Sequence, residues 1–158
     1  MLSEDINRGF TIVLASDHAG IQFRHDLILK LSERGHTVVD MGPDSPESVD
    51  YPDYAEKACK VLLANEADRM ILVCGSGIGM SIAANRYRGI RCALVHDETT
   101  AQLSRQHNNS NAIALGARLT SFETVWNSVL TWLTTPWEGG RHSQRTDKLD
   151  KLGIDTPQ

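Results

Sequence analysis

Five short apolar runs alternating with stretches of helical periodicity predict an α/β protein, a three-layer α/β/α sandwich around a five-stranded parallel sheet. The run Met70-Ile71-Leu72-Val73-Cys74 is a second indication: too short for a helix and apolar throughout, it suits a strand buried on both faces. It opens at once into Gly75-Ser76-Gly77-Ile78-Gly79, a loop where an open parallel sheet binds its ligands. A chain of 158 residues, 41% hydrophobic and 23% charged, suits one domain with a full core. Residues 1–9 read as a loose leader and about 138–158 as a C-terminal arm.

The first strand is Phe10 to Ser16, a β-rich apolar run ending at Asp17-His18-Ala19-Gly20. Phe23, Leu27, Ile28 and Leu31 then recur at helical spacing until Gly35. Thr37-Val38-Val39-Asp40 is the second strand, and Gly42, Pro43, Pro46 and Pro52 enforce turns in the loop beyond it. A helix starts near Pro52, with Asp53 as cap, Glu56 three residues on, and Ala55, Ala58, Cys59 and Leu62 as its buried face. The third strand ends at Cys74, and Met80, Ile82, Ala83 and Ala84 begin the helix after the glycine loop. Cys92 to Val95 is the fourth strand, followed by a helix through Ala101 and Leu103 that runs out in the polar stretch Ser104 to Asn111. Ala112 to Leu115 is the fifth. Thr120 to Thr134 is an amphipathic helix with Thr120 and Glu123 as a capping box, its tryptophans read as packing.

The glycine loop gathers free backbone N–H groups and the positive end of a helix at one point, which suits an anion or a developing oxyanion. Cys74 stands there, and a helix N-terminus favours the thiolate. Cys74 therefore reads as a base or nucleophile, against the plainer reading of a small residue closing a strand. Asp17 and His18 end another strand and read as ligand contacts or as helix caps. Tyr51 stacks on a ligand or pins its loop, and His107 lies on the approach to the fifth strand. Arg118 follows that strand and belongs to the same sheet edge as Asp17 and Cys74. Arg141 and Arg145, one helical turn apart with no acid between them, suit a phosphate or form a solvated face.

Several functions are excluded by pattern. Met80 stands where a dinucleotide fingerprint needs glycine, no phosphate-binding Gly-x-x-x-x-Gly-Lys motif occurs, and a cysteine phosphatase would need an arginine well before Arg86. A net charge of −4 argues against nucleic acid or an anionic membrane as partner. Three cysteines without Cys/His ligand spacing argue against zinc and for a reducing, cytoplasmic setting. No basic flank leads a long apolar run at the N-terminus, and no segment reaches the ~18 apolar residues of a membrane span. What remains is proton transfer on a small phosphorylated substrate, with no cofactor and no metal.

Five motifs in order, Ser16-Asp17-His18-Ala19-Gly20, Asp50-Tyr51-Pro52, Cys74-Gly75-Ser76-Gly77-Ile78-Gly79, Ser104-Arg105-Gln106-His107-Asn108 and Glu138-Gly139-Gly140-Arg141-His142, resemble the type B ribose-5-phosphate isomerases. That family is grouped with allose- and galactose-6-phosphate isomerases, and the resemblance runs from Thr11 to about Leu149. It implies a Rossmann-like sheet of order 2-1-3-5-4 and a homodimer or tetramer whose sites lie between subunits. It further implies Cys74 as proton acceptor, His107 as ring-opening acid/base, and the backbone of Gly75, Gly77, Ile78 and Gly79 as enediolate cradle; for such a reaction Ser76, within the same loop, reads as a shuttle of the hydroxyl proton. Asp17 and His18 resemble the family's sugar-contacting pair, Asn108 a hydroxyl ligand, and Arg118, Arg141 and Arg145 its phosphate ligands. Some members carry a glutamate base where this chain has Met80. The expected reaction interconverts ribose 5-phosphate and ribulose 5-phosphate, the alternatives being a 6-phosphate sugar, or a non-catalytic subunit or regulator that binds sugar phosphates.

Overall fold

A computed structural model describes residues 9–153, so all but Gly9 of the expected leader and the arm beyond Gly153 lie outside the described residues. Five parallel strands form one sheet in the order β2-β1-β3-β5-β4, with β1 Thr11–Ser16, β2 Thr37–Asp40, β3 Arg69–Cys74, β4 Cys92–Leu94 and β5 Ala112–Gly116. The expected class and strand order both hold. The helices are α1 Ile21–Glu33, α2 Tyr51–Leu63, α3 Ile78–Asn85, α4 Glu98–Asn108, α5 Phe122–Thr134 and α6 Ser143–Leu149.

Alternation along each strand sorts the core into two layers. Val13, Ala15, Met70, Leu72 and Ala114 pack under α2 and α3, whereas Ile12, Leu14, Ile71, Val73 and Leu115 pack under α1, α4 and α5. This is the layering that right-handed crossovers between parallel strands produce. Because all strands run one way, they end together at a carboxyl edge and begin together at an amino edge. β1 and β3 are neighbours whose connections leave in opposite directions, so the crevice between Ser16 and Cys74 is the sheet's switch point.

Three local expectations are corrected. α2 begins at Tyr51 after an extended Asp50 that makes no side-chain cap, with Pro52 inside the first turn, rather than being capped by Asp53 with Glu56. Ser121, not Thr120, caps α5, because its extended backbone brings Oγ to 3.2 Å from the Thr124 N–H. α4 does not run out at Ser104 but continues to Asn108, since the polar stretch is part of the core. Ser104 and Ser110 share a hydrogen bond at 2.9 Å, the Trp132 indole donates to Ser110 Oγ at 2.8 Å, and buried Arg105 donates to the Asn109 side chain at 2.9 Å. A buried polar network with every member partnered specifies packing as firmly as an apolar one.

At the carboxyl edge, fully buried Arg24 of α1 binds three segments at once. Its guanidinium donates to Ser16 Oγ at the end of β1 and to the Pro43 carbonyl, while Nε lies 3.0 Å from Asp40 Oδ1 at the end of β2 in an ion pair too bent for a hydrogen bond. Arg24→Met is expected to lower stability by about 3 kcal/mol, because it strands buried acceptors and a half-shielded carboxylate. The check is a fall in the urea midpoint at unchanged m value; an unaltered midpoint would reduce Arg24 to a spectator. Among the described residues no helix is long and apolar enough to cross a membrane.

Candidate active site

The carboxyl edge gathers one set of predicted residues. Cys74 closes β3 at 5% exposure, and the Gly77 N–H donates to its sulfur at 3.1 Å. Gly77 has φ +80, which turns the loop back into α3 and which a residue with a Cβ adopts only under strain. The Ile78 N–H is taken by Ser76 Oγ at 3.2 Å, and the first helical bond runs from the Ser81 N–H to the Gly77 carbonyl. This leaves the N–H groups of Gly75, Ser76, Gly79 and Met80 without an acceptor among the described residues. All four belong to the loop and first helical turn that follow Cys74, an arrangement of backbone donors that suits an oxyanion.

The neighbouring strand ends complete this half. Asp17 Oδ1 accepts from Ala19 and Gly20 N–H at 2.9 and 3.1 Å, so Asp17 caps a 3-10 turn as the plainer reading has it, while Oδ2 takes no protein donor among the described residues. Val49 N–H donates to His18 Nδ1 at 3.2 Å, which places the proton of neutral His18 on Nε2. Tyr51 lies flat on the start of α3, where a Cβ at Gly79 would come within 2.7 Å of its ring. Arg118 extends over Gly75, with Cδ and Nη1 at 3.3 Å from where a Cβ would stand. It pairs with no carboxylate among the described residues.

His107, Asn108, Arg141 and Arg145 form a second set, at the opposite edge. α4 leaves the carboxyl edge after β4 and runs eleven residues, or roughly 16 Å, so its last turn reaches the amino edge beside the start of β5. His107 stacks there on His142, ring centroids 4.4 Å apart and planes 17° apart. Arg91 clamps the C-terminal segment against this turn, donating to the carbonyls of Asn108 at 3.0 Å and Asn109 at 3.1 Å and pairing with Asp150 at 2.7 Å. Arg141, in a 3-10 turn Gly140–His142, and Arg145 of α6 are exposed and make no ion pair among the described residues. A groove of about 960 Å³ also lies at this edge between Arg86, Arg91 and Leu149. It meets the predicted site only through Asn108.

His107, Glu138 and His142 offer three ligand atoms within 4.8 Å of one another. Metal binding does not fit them, because nearly parallel stacked rings point their lone pairs side by side, and an ion between them would lie out of both ring planes. Of the remaining thiols, burial pushes Cys59 up to about 12 and raises Cys92 as well, so both stay protonated and inert, in keeping with their reading as packing.

Two residues of this architecture carry no role in the sequence reading. Arg24 shares the inward face of α1 with Leu27 and Leu31, and an arginine in an apolar stripe was the available signal. His142 lay within a quoted motif, but nothing local pairs it with a histidine 35 positions earlier.

A parallel sheet with a thiol and a glycine cradle at its switch point, and no nucleotide motif, defines a doubly wound α/β enzyme of small-molecule chemistry. The family described as Ribose/Galactose Isomerase matches residues 12–149. The chain is 42% identical over 141 residues to ribose-5-phosphate isomerase B of Escherichia coli, covering 89% of this chain and 95% of that protein. It is 43% identical to a putative sugar phosphate isomerase of Bacillus subtilis, covering 87% and 93%. Its fold is similar to the crystal structure of a ribose 5-phosphate isomerase from Thermotoga maritima, with a TM-score of 0.89 and 48% identity over 92% of this chain and all of that one. The chain belongs to the ribose/galactose isomerase family, and is a sugar-phosphate aldose–ketose isomerase.

Proposed function

We propose that this isomerase interconverts ribose 5-phosphate and ribulose 5-phosphate through an enediolate, in a homodimer whose sites each join the carboxyl edge of one copy to the amino edge of the other. The observation that carries the chemistry is the Cys74 thiol with a backbone N–H on its sulfur and four free N–H groups in the loop and helical turn that follow it. His107 moves a proton from the anomeric hydroxyl to the ring oxygen, and the sugar opens. The Cys74 thiolate takes the C2 proton; the C2–H electron pair forms the C1–C2 double bond, and the carbonyl electrons pass to O1, where the free amides receive the charge. Ser76 passes the O2 proton to O1, and Cys74 returns its proton to C1. Asp17, His18, Tyr51 and Asn108 orient the sugar. Three free cysteines among the described residues fit a reducing cytoplasm as the place of work.

Arg118, Arg141 and Arg145 are assigned to the phosphate, which their lack of carboxylate partners supports. The test is a panel of aldose and ketose 5- and 6-phosphates with their unphosphorylated forms, assayed on the purified chain and on alanine variants of the three arginines. Ribose 5-phosphate should be turned over best and ribose hardly at all, and each variant should raise KM by roughly ten- to hundredfold, the worth of a charge-assisted contact. Best turnover of a 6-phosphate would move the substrate to six carbons, binding without turnover would make the chain a regulator, and equal rates on ribose and ribose 5-phosphate would remove the arginines from the phosphate.

A further inference from the structure

We propose that His142 is a positioning residue for His107: its buried ring is a flat floor that holds the His107 imidazole in the plane from which it serves the sugar's ring oxygen. This rests on the assignment of ring opening to His107.

The backbone between α5 and α6 is shaped to bring the two rings together. Glu138 N–H donates to the Gln106 carbonyl at 3.4 Å, anchoring the segment to the last turn of α4. Gly139 and Gly140 follow with φ +63 and +55, two consecutive left-handed residues that swing the chain under the helix end. The His142 N–H then closes the turn on the Gly139 carbonyl at 3.0 Å. His142 ends 5% exposed, covered by His107 on one side and by the tilted Trp137 ring at 6.2 Å on another. A half-exposed His107 on the final turn of a helix would otherwise sweep several rotamers, and general acid–base catalysis depends on alignment.

Facing His142 are His107 from α4, Glu138 from its own segment, and Arg141 and Arg145 from its own helical stretch. Glu138 Oε2 is 3.7 Å from His142 Nε2, too long for a hydrogen bond. Burial above all, then the His107 and Arg141 charges, hold His142 below the ordinary histidine range, and it stays neutral at neutral pH.

The test separates ring opening from the carbon-bound proton step. Ribulose 5-phosphate cannot cyclise, because the oxygen that would close on its carbonyl carries the phosphate. Its uptake of deuterium at C1 in deuterated water therefore reports enediolate formation alone, while net conversion of ribose 5-phosphate needs both steps. His142→Phe keeps a flat uncharged ring, and His142→Leu keeps bulk without it. Phe is expected to hold net turnover within about threefold of the wild type, whereas Leu lowers kcat by about ten- to hundredfold with KM little changed. Deuterium uptake should stay at the wild-type rate in both. Equal turnover in Phe and Leu variants overturns the inference, and so does a Leu variant whose exchange falls in parallel with turnover, since that marks a general structural loss. A wild-type enzyme that converts ribose 5-phosphate without any exchange overturns the proton-transfer reading itself, and the His142 role with it.

Discussion

A Cys74→Ser chain is expected to retain about a thousandth of wild-type turnover, in the middle of the 10²- to 10⁴-fold range of general-base contributions. The substitution is nearly isosteric at a site 5% exposed, and serine oxygen can accept the same Gly77 N–H, so the melting temperature should barely move. What changes is acidity: a hydroxyl is too weak an acid to stand as an anion at neutral pH, and the N–H groups of the loop cannot make up the difference. Deuterium uptake from solvent at C1 of ribulose 5-phosphate should therefore disappear with turnover, while binding of the sugar phosphate persists. A fully active Cys74→Ser chain would take Cys74 out of the mechanism and leave the cradle without its base.

Much of this was legible in the sequence because it is local. Met70 to Gly79 displays strand, turn and helix start within ten residues, and the alternation of apolar runs with helical spacing leads directly to a parallel sheet. Motif resemblance supplied the strand order, which the strand pairing bears out. The failures are of two kinds. Caps slipped by one to three residues, as at Ser121 and Asp50, because serine, threonine and aspartate crowd the helix starts and only backbone angles decide among them. The polar stretch after Leu103 reads as the end of a helix because what gives it a place in the core, the Trp132 indole on Ser110, comes from another helix. Site residues were legible as chemical types, yet their placement was not. His107 and Cys74 are 33 positions apart with one strand between them, and only the direction of α4 reveals that they stand at opposite edges of the sheet.

Mixing Cys74→Ala chains with His107→Ala chains is expected to restore activity that neither has alone. β3 ends with Cys74 at the carboxyl edge, while α4 has travelled roughly 16 Å back to the amino edge before it presents His107. Arg118 stays with the first and Arg141 and Arg145 with the second, so each edge holds half of the proposed site: the assigned base, oxyanion cradle and one cation, or the assigned ring-opening acid and two cations. A two-fold dimer that brings unlike edges together makes two sites, each drawing Cys74 from one copy and His107 from the other. In a mixed dimer of the two variants, one site inherits both lesions and the other neither. Random exchange makes half of all dimers mixed, so an equimolar mixture should recover about a quarter of wild-type turnover. Mass spectrometry of differently tagged chains would establish that subunits had exchanged. If mixed dimers form in that proportion and activity stays at the level of the separate variants, the shared site is wrong, and a single copy must bring its two edges together by a route that this sheet does not provide.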